Sequence, residues 1–244
     1  MGSNENMNIK YSIVIPLKDE EDNVGILINE IEPIMNKTQE TWELICIDDG
    51  SKDSTAAILA SLKNKKPYLS IISFKKNYGQ SSAFDAGFKQ AKGEYIITMD
   101  GDLQNDPKDI PILLEKAENF DMICGHRINR RDSFSKKITS YLANKVRGAI
   151  CQDGVKDTGC SLKIYRKTCL EKIKLFNGMH RFLPALFKIE NFRILEIPVN
   201  HRFREHGKSK YNFFNRSFNT IADMMAVRWM KNRHLKYDIK EENK

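Results

Sequence analysis

Short apolar runs alternate with amphipathic segments along the first hundred residues. The runs have the length and β-branched composition of strands, and between them apolar residues recur at helical spacing, as at Val24, Leu27 and Ile31. The predicted strands cover 11–16, 42–48, 69–74 and 94–99, and the predicted helices cover 24–35, a segment from Asp53 onward, and 81–91. This order predicts an α/β fold, in which a mostly parallel central sheet carries helices on both faces.

The second half of the chain has a less regular pattern. It predicts a helix around 135–150, a strand near 160–166 and a helix over 180–190. No linker, low-complexity segment or internal repeat divides the sequence, so we expect one domain in which the second half extends one edge of the sheet. We place that domain at 8–211 and assign 212–244 to an amphipathic helix and a charged tail.

Acidic residues follow three of the predicted strands. The segments are KDEED at 18–22, IDDGS at 47–51 and DGDLQND at 100–106. Because ligands bind at the carboxyl ends of parallel strands, we expect the three segments to converge at one edge of the sheet. A carboxylate in the second segment can accept hydrogen bonds from a nucleotide base or from ribose hydroxyls.

Two aspartates of the third segment form a D-x-D motif. In an extended chain, Asp100 and Asp102 direct their carboxylates to one side around the small Gly101. Hard cations such as Mg²⁺ and Mn²⁺ prefer carboxylate oxygens and bridge to substrate phosphates. The alternative is a solvated turn whose acids cap helices, which Asp106 before Pro107 fits. The second acidic segment, at the end of another strand, favours the metal site.

The charge of the chain is unevenly distributed. The net charge of +8 and the pI near 9.1 indicate an anionic partner, such as nucleic acid, a membrane surface or a phosphorylated substrate. Basic residues are dense at 127–137 and 202–210, whereas acids are concentrated in the first half. This division suits one site for a cation and another for phosphate, although 127–137 also fits a solvated helix face or loop.

Cysteine usage and hydropathy indicate the compartment. Five cysteines without CxxC spacing are typical of reduced thiols in a cytoplasmic protein. No apolar stretch approaches the roughly 20 residues that cross a bilayer, and the start of the sequence has no apolar signal core. Met224, Met225 and Trp229 recur at near-helical spacing, which is typical of core or dimer contacts. Their segment, 212–236, is also rich in base, which suits a helix lying on an anionic membrane.

Six segments of the sequence carry a family resemblance. They are IPLKDEEDNV, IDDGSKDST, KNYGQSSAFDAGFKQAKGEYIITMDGDLQNDP, DTGCSLKIYR, GMHRFLPAL and HRFREHGKSKY. Together they resemble the family 2 glycosyltransferases of the GT-A fold, in the branch of dolichol-phosphate mannose synthase and bacterial polyprenyl-phosphate glycosyltransferases. The resemblance runs from about Tyr11 to about Tyr211. It implies a GT-A type, Rossmann-like αβα sandwich with a mostly parallel central sheet.

The resemblance also implies roles for individual residues. The implied nucleotide-sugar site comprises Pro16, Glu20, Asp48, Asp49, Ser51, Lys76, Gly79 and Asp100. The implied metal site comprises Asp100, Asp102 and Gln104. One departure is that Lys18 and Asp19 stand where the family has an aromatic residue and Asn. It leaves base stacking, and hence the nucleotide, open.

Basic residues are expected to hold the two phosphates of such a reaction, because Arg forks and Lys charges suit phosphate oxygens. The residues assigned to the acceptor phosphate are Arg181, Lys208 and Lys210, and those assigned to catalysis are Asp102, Asp157, Arg127 and Arg202. Two alternatives stay open: Asp157 pairs with an arginine, and Arg202 pairs with an acid such as Glu205. His126, His180 and His206 lack metal-ligand spacing and are expected to make polar contacts.

The resemblance thus implies an inverting, metal-dependent hexosyltransferase of cell-envelope biosynthesis. Its donor is a UDP- or GDP-linked sugar, its cofactor Mg²⁺ or Mn²⁺, and its acceptor an undecaprenyl or dolichyl phosphate. We expect a peripheral protein on the cytoplasmic face of the inner membrane, with a homo-oligomer as an open possibility.

Other functions compete with this hypothesis. A related transferase would add the sugar directly to a lipopolysaccharide or another glycan. A basic nucleic-acid-binding module would interleave basic and aromatic residues and would not place acids at strand ends, so we expect no nucleic-acid partner. A nucleotidyltransferase also uses paired acids but has a glycine-rich basic loop after its first strand, which PLKDEEDN is not.

Overall fold

A computed structural model describes residues 8–128, 144–204, 213–235 and 237 of the 244-residue chain. The strands are β1 (Tyr11–Leu17), β2 (Trp42–Asp48), β3 (Leu69–Ser73), β4 (Tyr95–Thr98), β5 (Met122–Arg127), β6 (Lys163–Arg166) and β7 (Ile194–Val199). The helices are α1 (Glu21–Asn36), α2 (Thr55–Lys63), α3 (Gln80–Gln90), α4 (Ile110–Leu114), α5 (described over 144–151), α6 (Lys167–Leu170), α7 (Leu183–Ile189) and α8 (Phe213–Arg233). Short 3₁₀ turns cover Pro107–Asp109 and Met179–Arg181.

The seven strands form one sheet in the order β3-β2-β1-β4-β6-β5-β7. β6 pairs antiparallel with both of its neighbours, and the other pairings are parallel. Six strands therefore point their carboxyl ends at the same edge, which confirms the predicted mostly parallel sheet.

Two hydrophobic cores cover the two faces of the sheet. Along β2, Leu44 and Cys46 pack in the core with α1 and α2, whereas Ile45 and Ile47 pack in the core with α3, α7 and α8. Because both faces are covered, the central strands are apolar at nearly every position, which explains the continuous apolar runs in the sequence. Each fully buried Ile or Leu stabilises the fold by about 1.5–3 kcal/mol relative to an exposed one.

The structure differs from the sequence-based assignment in the second half. No strand was predicted at Met122–Arg127, where β5 lies, because only its first half is apolar and Gly125 interrupts the pattern. The helix predicted over 180–190 begins instead at Leu183, after a separate 3₁₀ turn. Pro184 is the cause, since proline fits the first turn of a helix and not its interior. Much of the helix predicted around 135–150 lies outside the described residues.

Helix α8 presents two different faces. Met224 and Val227 are buried in the second core, whereas Ile221, Met225 and Trp229 are more than half exposed, one helical turn apart from each other. The methionine prediction is thus confirmed for Met224 as a core residue only. Within the described residues, none of the helices combines the length and apolar character that a membrane span requires.

All five cysteines are buried and unpaired with one another, as predicted for reduced thiols. Burial raises the pKa of the Cys46 and Cys124 thiols to about 12, so both stay protonated at neutral pH.

Two helical glycines allow a matched test of this packing. A Cβ at Gly87 in α3 would overlap Val14 Cγ1 and lie 2.9 Å from Ile47 Cδ1, whereas a Cβ at Gly25 in α1 meets no atom within 4 Å. We expect Gly87→Ala to lower the free energy of unfolding by about 1–2 kcal/mol through overpacking. Gly25→Ala should raise it by up to about 1 kcal/mol through helix propensity. Urea denaturation of both variants measures this, and equal effects would contradict the close contact of α3 with the sheet.

Candidate active site

The loops after β1 and β2 are hydrogen-bonded to each other. The Asp19 amide donates to Ser51 Oγ at 2.9 Å, and the Lys52 amide donates to Asp19 Oδ1 at 2.7 Å. The Glu20 amide donates to Thr55 Oγ1 at 2.8 Å, where α2 begins. The first two acidic segments therefore converge as predicted, and they bring Glu20 and Ser51 of the implied nucleotide site together.

The end of β2 is shaped by its own aspartate. Asp48 is buried, and its Oδ1 accepts from the Ser51 amide at 2.9 Å, which closes the turn around Gly50. Pro16 of β1 lies beside this strand end and pairs with Ile47 in the parallel ladder. Asp48 and Pro16 thus support the loop geometry, and their implied contact with a nucleotide stays a prediction.

Asp49 connects the end of β2 to the loop before α3. Its two carboxylate oxygens accept from the Tyr78 amide at 2.6 Å and the Gly79 amide at 2.9 Å. Gly50 has φ +67°, and a Cβ there would lie 2.5 Å from the Lys76 carbonyl carbon. Only glycine permits this approach. Asp49 therefore positions the loop that holds Lys76 and Gly79, whereas its predicted contact with the nucleoside stays a prediction.

The next hydrogen bond leads from that loop to the D-x-D motif. Gln80, the first residue of α3, donates from Nε2 to Asp100 Oδ1 at 2.7 Å. The Asp100 amide donates to Ser161 Oγ at 3.1 Å, just before β6. The three acidic segments thus belong to one hydrogen-bonded edge of the sheet, with Asp49 on one side of the loop and Asp100 on the other.

Desolvation of the carboxyl raises the pKa of Asp100 to about 6, and the nearby charge of Asp102 is the second cause. Lys163 acts in the opposite direction. It is buried in β6, and its Nζ donates to the backbone oxygens of Cys160 and Thr158. A carboxylate with a raised pKa has unsatisfied demand for positive charge, which a divalent cation meets.

Asp102 is held by groups from both sides. Its Oδ1 accepts from the Gln104 amide at 3.2 Å, and its Oδ2 accepts from Arg204 Nη2. A Cβ at Gly101 would overlap the Leu17 Cδ2 methyl, so a larger residue between the two acids would have to displace the Leu17 side chain. Leu103 has φ +61°, an uncommon conformation for a bulky residue that is typical of functional loops.

These residues fit a hard divalent cation. Two carboxylates lie two residues apart on the same loop, and one of them has a raised pKa. No group of three His, Cys, Asp or Glu side chains suited to a metal ion occurs among the described residues. The protein would therefore supply Asp100 and Asp102, with Gln104 as the implied third group, and oxygens of a substrate phosphate would complete the shell.

Two residues assigned to catalysis pair with each other. Arg127 donates from Nε and Nη2 to the two oxygens of Asp157, at 2.7 and 2.9 Å, and from its amide at 3.2 Å. The Asp157 amide donates in turn to Glu196 Oε1 at 2.9 Å. The alternative in which Asp157 pairs with an arginine is therefore the one that the structure contains.

Arg202 forms ion pairs with two acids among the described residues. Its guanidinium donates to Glu30 Oε2 at 2.7 Å and to Asp106 Oδ1 at 2.6 Å, and so connects α1 to the loop after β4. Asp106 also accepts from the Lys108 amide at 3.0 Å, which confirms it as a helix cap. The expected partner Glu205 lies outside the described residues.

The remaining assigned residues are dispersed. Arg181 donates to Thr220 Oγ1 at 3.2 Å and so contacts α8. His180 Nδ1 lies 2.9 Å from Ser81 Oγ, which is the expected polar contact. Lys76 Nζ lies 5.4 Å from the centre of the Tyr78 ring. His126 lies in β5. His206, Lys208 and Lys210 fall outside the described residues.

Sequence reasoning did not assign three residues of this edge: Gln80, Lys163 and Arg204. Gln80 and Lys163 lie inside segments that carry the resemblance, and Arg204 follows Arg202 by two positions in a basic segment. Their position in those segments was the signal that could have marked them as site residues. Their hydrogen-bond partners become apparent only from the tertiary structure.

The chain is similar in sequence to known proteins. The family model "Glycosyl transferase family 2" matches residues 12–174. The chain is 41% identical over 232 residues to dodecaprenyl-phosphate galacturonate synthase of Rhizobium johnstonii, covering 90% of this chain and 67% of that protein. It is 37% identical over 220 residues to undecaprenyl-phosphate 4-deoxy-4-formamido-L-arabinose transferase of Salmonella choleraesuis, covering 89% and 67%.

A solved structure shares the fold. Glucosyl-3-phosphoglycerate synthase from Mycobacterium tuberculosis, in complex with Mn²⁺, UDP-glucose and phosphoglyceric acid, superimposes with a TM-score of 0.70. The sequences are 16% identical, and the match covers 91% of this chain and 80% of that chain. The αβα sandwich is therefore of the GT-A type, as predicted.

The raised pKa of Asp100 predicts how stability depends on pH. Because the folded pKa of about 6 lies above the reference value of 3.8, the folded state binds this proton more tightly, so stability falls as pH rises through that interval. Asp100→Asn should therefore stabilise the metal-free protein by about 1–3 kcal/mol at pH 7.5 and have little effect near pH 4. Thermal unfolding in EDTA measures this.

The control for that experiment is Asp85→Asn, since Asp85 forms an exposed i,i+4 pair with Lys89. This change should alter stability by no more than about 0.5 kcal/mol at either pH. A destabilised Asp100→Asn at pH 7.5 would contradict the uncompensated charge of Asp100.

Proposed function

The chain belongs to glycosyl transferase family 2, and from that premise we propose that it is an inverting, metal-dependent hexosyltransferase. Its donor is a nucleoside-diphosphate sugar, linked to UDP or GDP, and its acceptor is a polyprenyl phosphate. One observation supports this most: the hydrogen bonds from Asp49 through Tyr78 and Gly79, and from Gln80 to Asp100, join a nucleotide side and a metal side in one edge.

On the donor side, we assign binding of the nucleoside to the loops after β1 and β2, which include Glu20 and Ser51. The rigid connection through Asp49 fixes how far the nucleoside lies from the diphosphate. Asp100, Asp102 and Gln104 would hold the cation. The chemistry that Mg²⁺ or Mn²⁺ would supply there is neutralisation of the charge that develops on the leaving diphosphate.

On the acceptor side, a polyprenyl phosphate brings an oxygen that is already anionic. The protein then needs no strong general base and has to hold two phosphates near each other, which requires cations. We assign this role to Arg181, Lys208 and Lys210. The two relatives named above support a polyprenyl phosphate as the acceptor, since both are named for one.

We give Arg202 and the Arg127–Asp157 pair a different role from the one assigned by sequence. Their charges are satisfied by neighbouring acids and bases at 2.6–2.9 Å. Moving Arg202 to a phosphate would leave Glu30 and Asp106 without their partner. We therefore propose that these residues hold the loops around the reaction in place.

The exposed apolar stripe of α8, formed by Ile221, Met225 and Trp229, suits a lipid surface. Exposed Arg228 and Arg233 flank it, and basic residues beside an apolar stripe favour anionic headgroups. We propose that this helix, within the segment 212–244 that follows the catalytic domain at 8–211, rests on the cytoplasmic face of the inner membrane. A homo-oligomer would cover the same stripe.

The experiment that tests the function is transfer from a panel of nucleotide sugars. UDP- and GDP-linked hexoses are incubated with Mn²⁺ and either undecaprenyl phosphate or a lipopolysaccharide acceptor. We expect a glycolipid product with one donor and the polyprenyl phosphate only. Transfer to the glycan alone would replace the proposed acceptor, and absence of transfer with every donor and both acceptors would contradict the proposal.

Two aspartates of the same loop provide a matched test of the metal site. We expect Asp102→Asn to lower kcat/KM by at least about 100-fold with the fold intact, because the amide keeps the shape but loses the charge toward the cation. Asp106→Asn should mainly cost stability, by about 1 kcal/mol, because it weakens a helix cap and an ion pair with Arg202. Steady-state kinetics and thermal unfolding of both variants measure the difference. Equal losses of turnover would refute the separate roles.

A further inference from the structure

We propose that Arg204 is an internal counter-ion. Its guanidinium pairs with Asp102 until a metal-bound diphosphate arrives, and the side chain then moves to pair with that diphosphate. This inference rests on the proposed function and adds a coupling between the two ligands. Its basis is the ion pair from Arg204 Nη2 to Asp102 Oδ2, on the carboxylate that we assign to the cation.

The backbone of Arg204 is held beside the acidic loop independently of that ion pair. His201 forms an antiparallel bridge with Asn105, and the Arg202 amide donates to the backbone oxygen of Gln104 at 2.9 Å. The Arg202 side chain is fixed by two carboxylates, at 2.6 and 2.7 Å. Arg204 therefore starts from an anchored position, and only its side chain has to move for the pair to open.

The Arg204–Asp102 pair lies at the boundary between protein and solvent. The side chain of Asp102 is 11% exposed, whereas that of Arg204 is 30% exposed. The guanidinium can thus leave toward solvent, where an incoming diphosphate would be. Arginine suits this exchange, because its planar donors match carboxylate and phosphate oxygens equally well.

A cation on Asp102 competes with a metal ion for the same carboxylate. A metal ion that binds alone must displace Arg204 from Asp102 and leave the guanidinium without its anion. The metal ion alone therefore binds weakly. Metal with a nucleoside diphosphate supplies a new anion for Arg204, so the two ligands favour each other. Such a mutual effect is a coupling free energy, and it must appear equally in the affinity of each ligand.

The test is binding of Mn²⁺ by titration calorimetry and electron paramagnetic resonance, without nucleotide and then with saturating UDP or GDP. For Arg204→Gln we expect Mn²⁺ alone to bind about fivefold more tightly than to the wild type, since one competing ion pair is lost. UDP or GDP should bind about tenfold more weakly in the presence of Mn²⁺, since a charge-assisted contact to phosphate is lost. The coupling between the two ligands should fall accordingly.

Two further variants separate the cause. Arg204→Lys keeps the positive charge and should bind Mn²⁺ alone as the wild type does. Arg193→Gln removes the same charge from a side chain that is 66% exposed, next to the start of β7 at the opposite edge of the sheet, and should leave both affinities unchanged. Thermal unfolding of each variant confirms that it is folded.

The outcomes distinguish this inference from the proposed function. A wild-type protein that binds neither Mn²⁺ nor either diphosphate overturns both. Normal wild-type binding with unchanged Mn²⁺ affinity in Arg204→Gln overturns the counter-ion role alone, and so does tighter Mn²⁺ binding in Arg193→Gln. Should Arg204→Gln unfold, Arg204→Met takes its place with the same expectations: tighter binding of Mn²⁺ alone supports the role, and an unchanged Mn²⁺ affinity overturns it.

Discussion

The parallel pairing of β1 with both β2 and β4 determines where the acidic residues of the site lie. Leu17 pairs with Asp48, and Val14 pairs with Thr98, so the three strands end at one edge of the sheet. The register is locked because alternate residues of each strand pack against different helices on the two faces. A shift by one residue would turn the side chains of that strand to the opposite faces and so remove the core residues from their helices.

So much negative charge at one edge is tolerated because the fold surrounds it with bases. Buried Lys163 favours the charged form of Asp100, and Arg202 and Arg204, in the segment after β7, pair with Asp106 and Asp102. The compensation is uneven, since the pKa of Asp100 stays raised to about 6. The imbalance lies at the residue where a cation would bind, and neighbouring acids such as Asp106 have permanent partners. Function and stability are therefore opposed at Asp100, whereas Asp106 contributes to stability alone.

Sequence was a good guide to the first half of the fold and to the general position of the site. The four first strands were readable because they are buried on both faces, and their acidic ends follow from parallel topology. β5 was not readable, because Gly125 and the polar residues after it become a strand only when β6 and β7 supply partners. The individual roles were harder still. Asp157 and Arg127 are 30 positions apart in sequence, and their ion pair becomes visible only in the folded structure.

Arg202 and Arg204 show why residue type and spacing do not determine a role. Both are arginines of one basic segment, and sequence reasoning selected the first for phosphate. In the structure, Arg202 lies between Glu30 and Asp106, two acids that have no assigned place in the chemistry, whereas Arg204 reaches Asp102. The bridge between His201 and Asn105 sets this difference, because it fixes which acid each side chain can reach. One arginine is thereby held as a structural connection, and its neighbour pairs with Asp102, an anion that a substrate can replace.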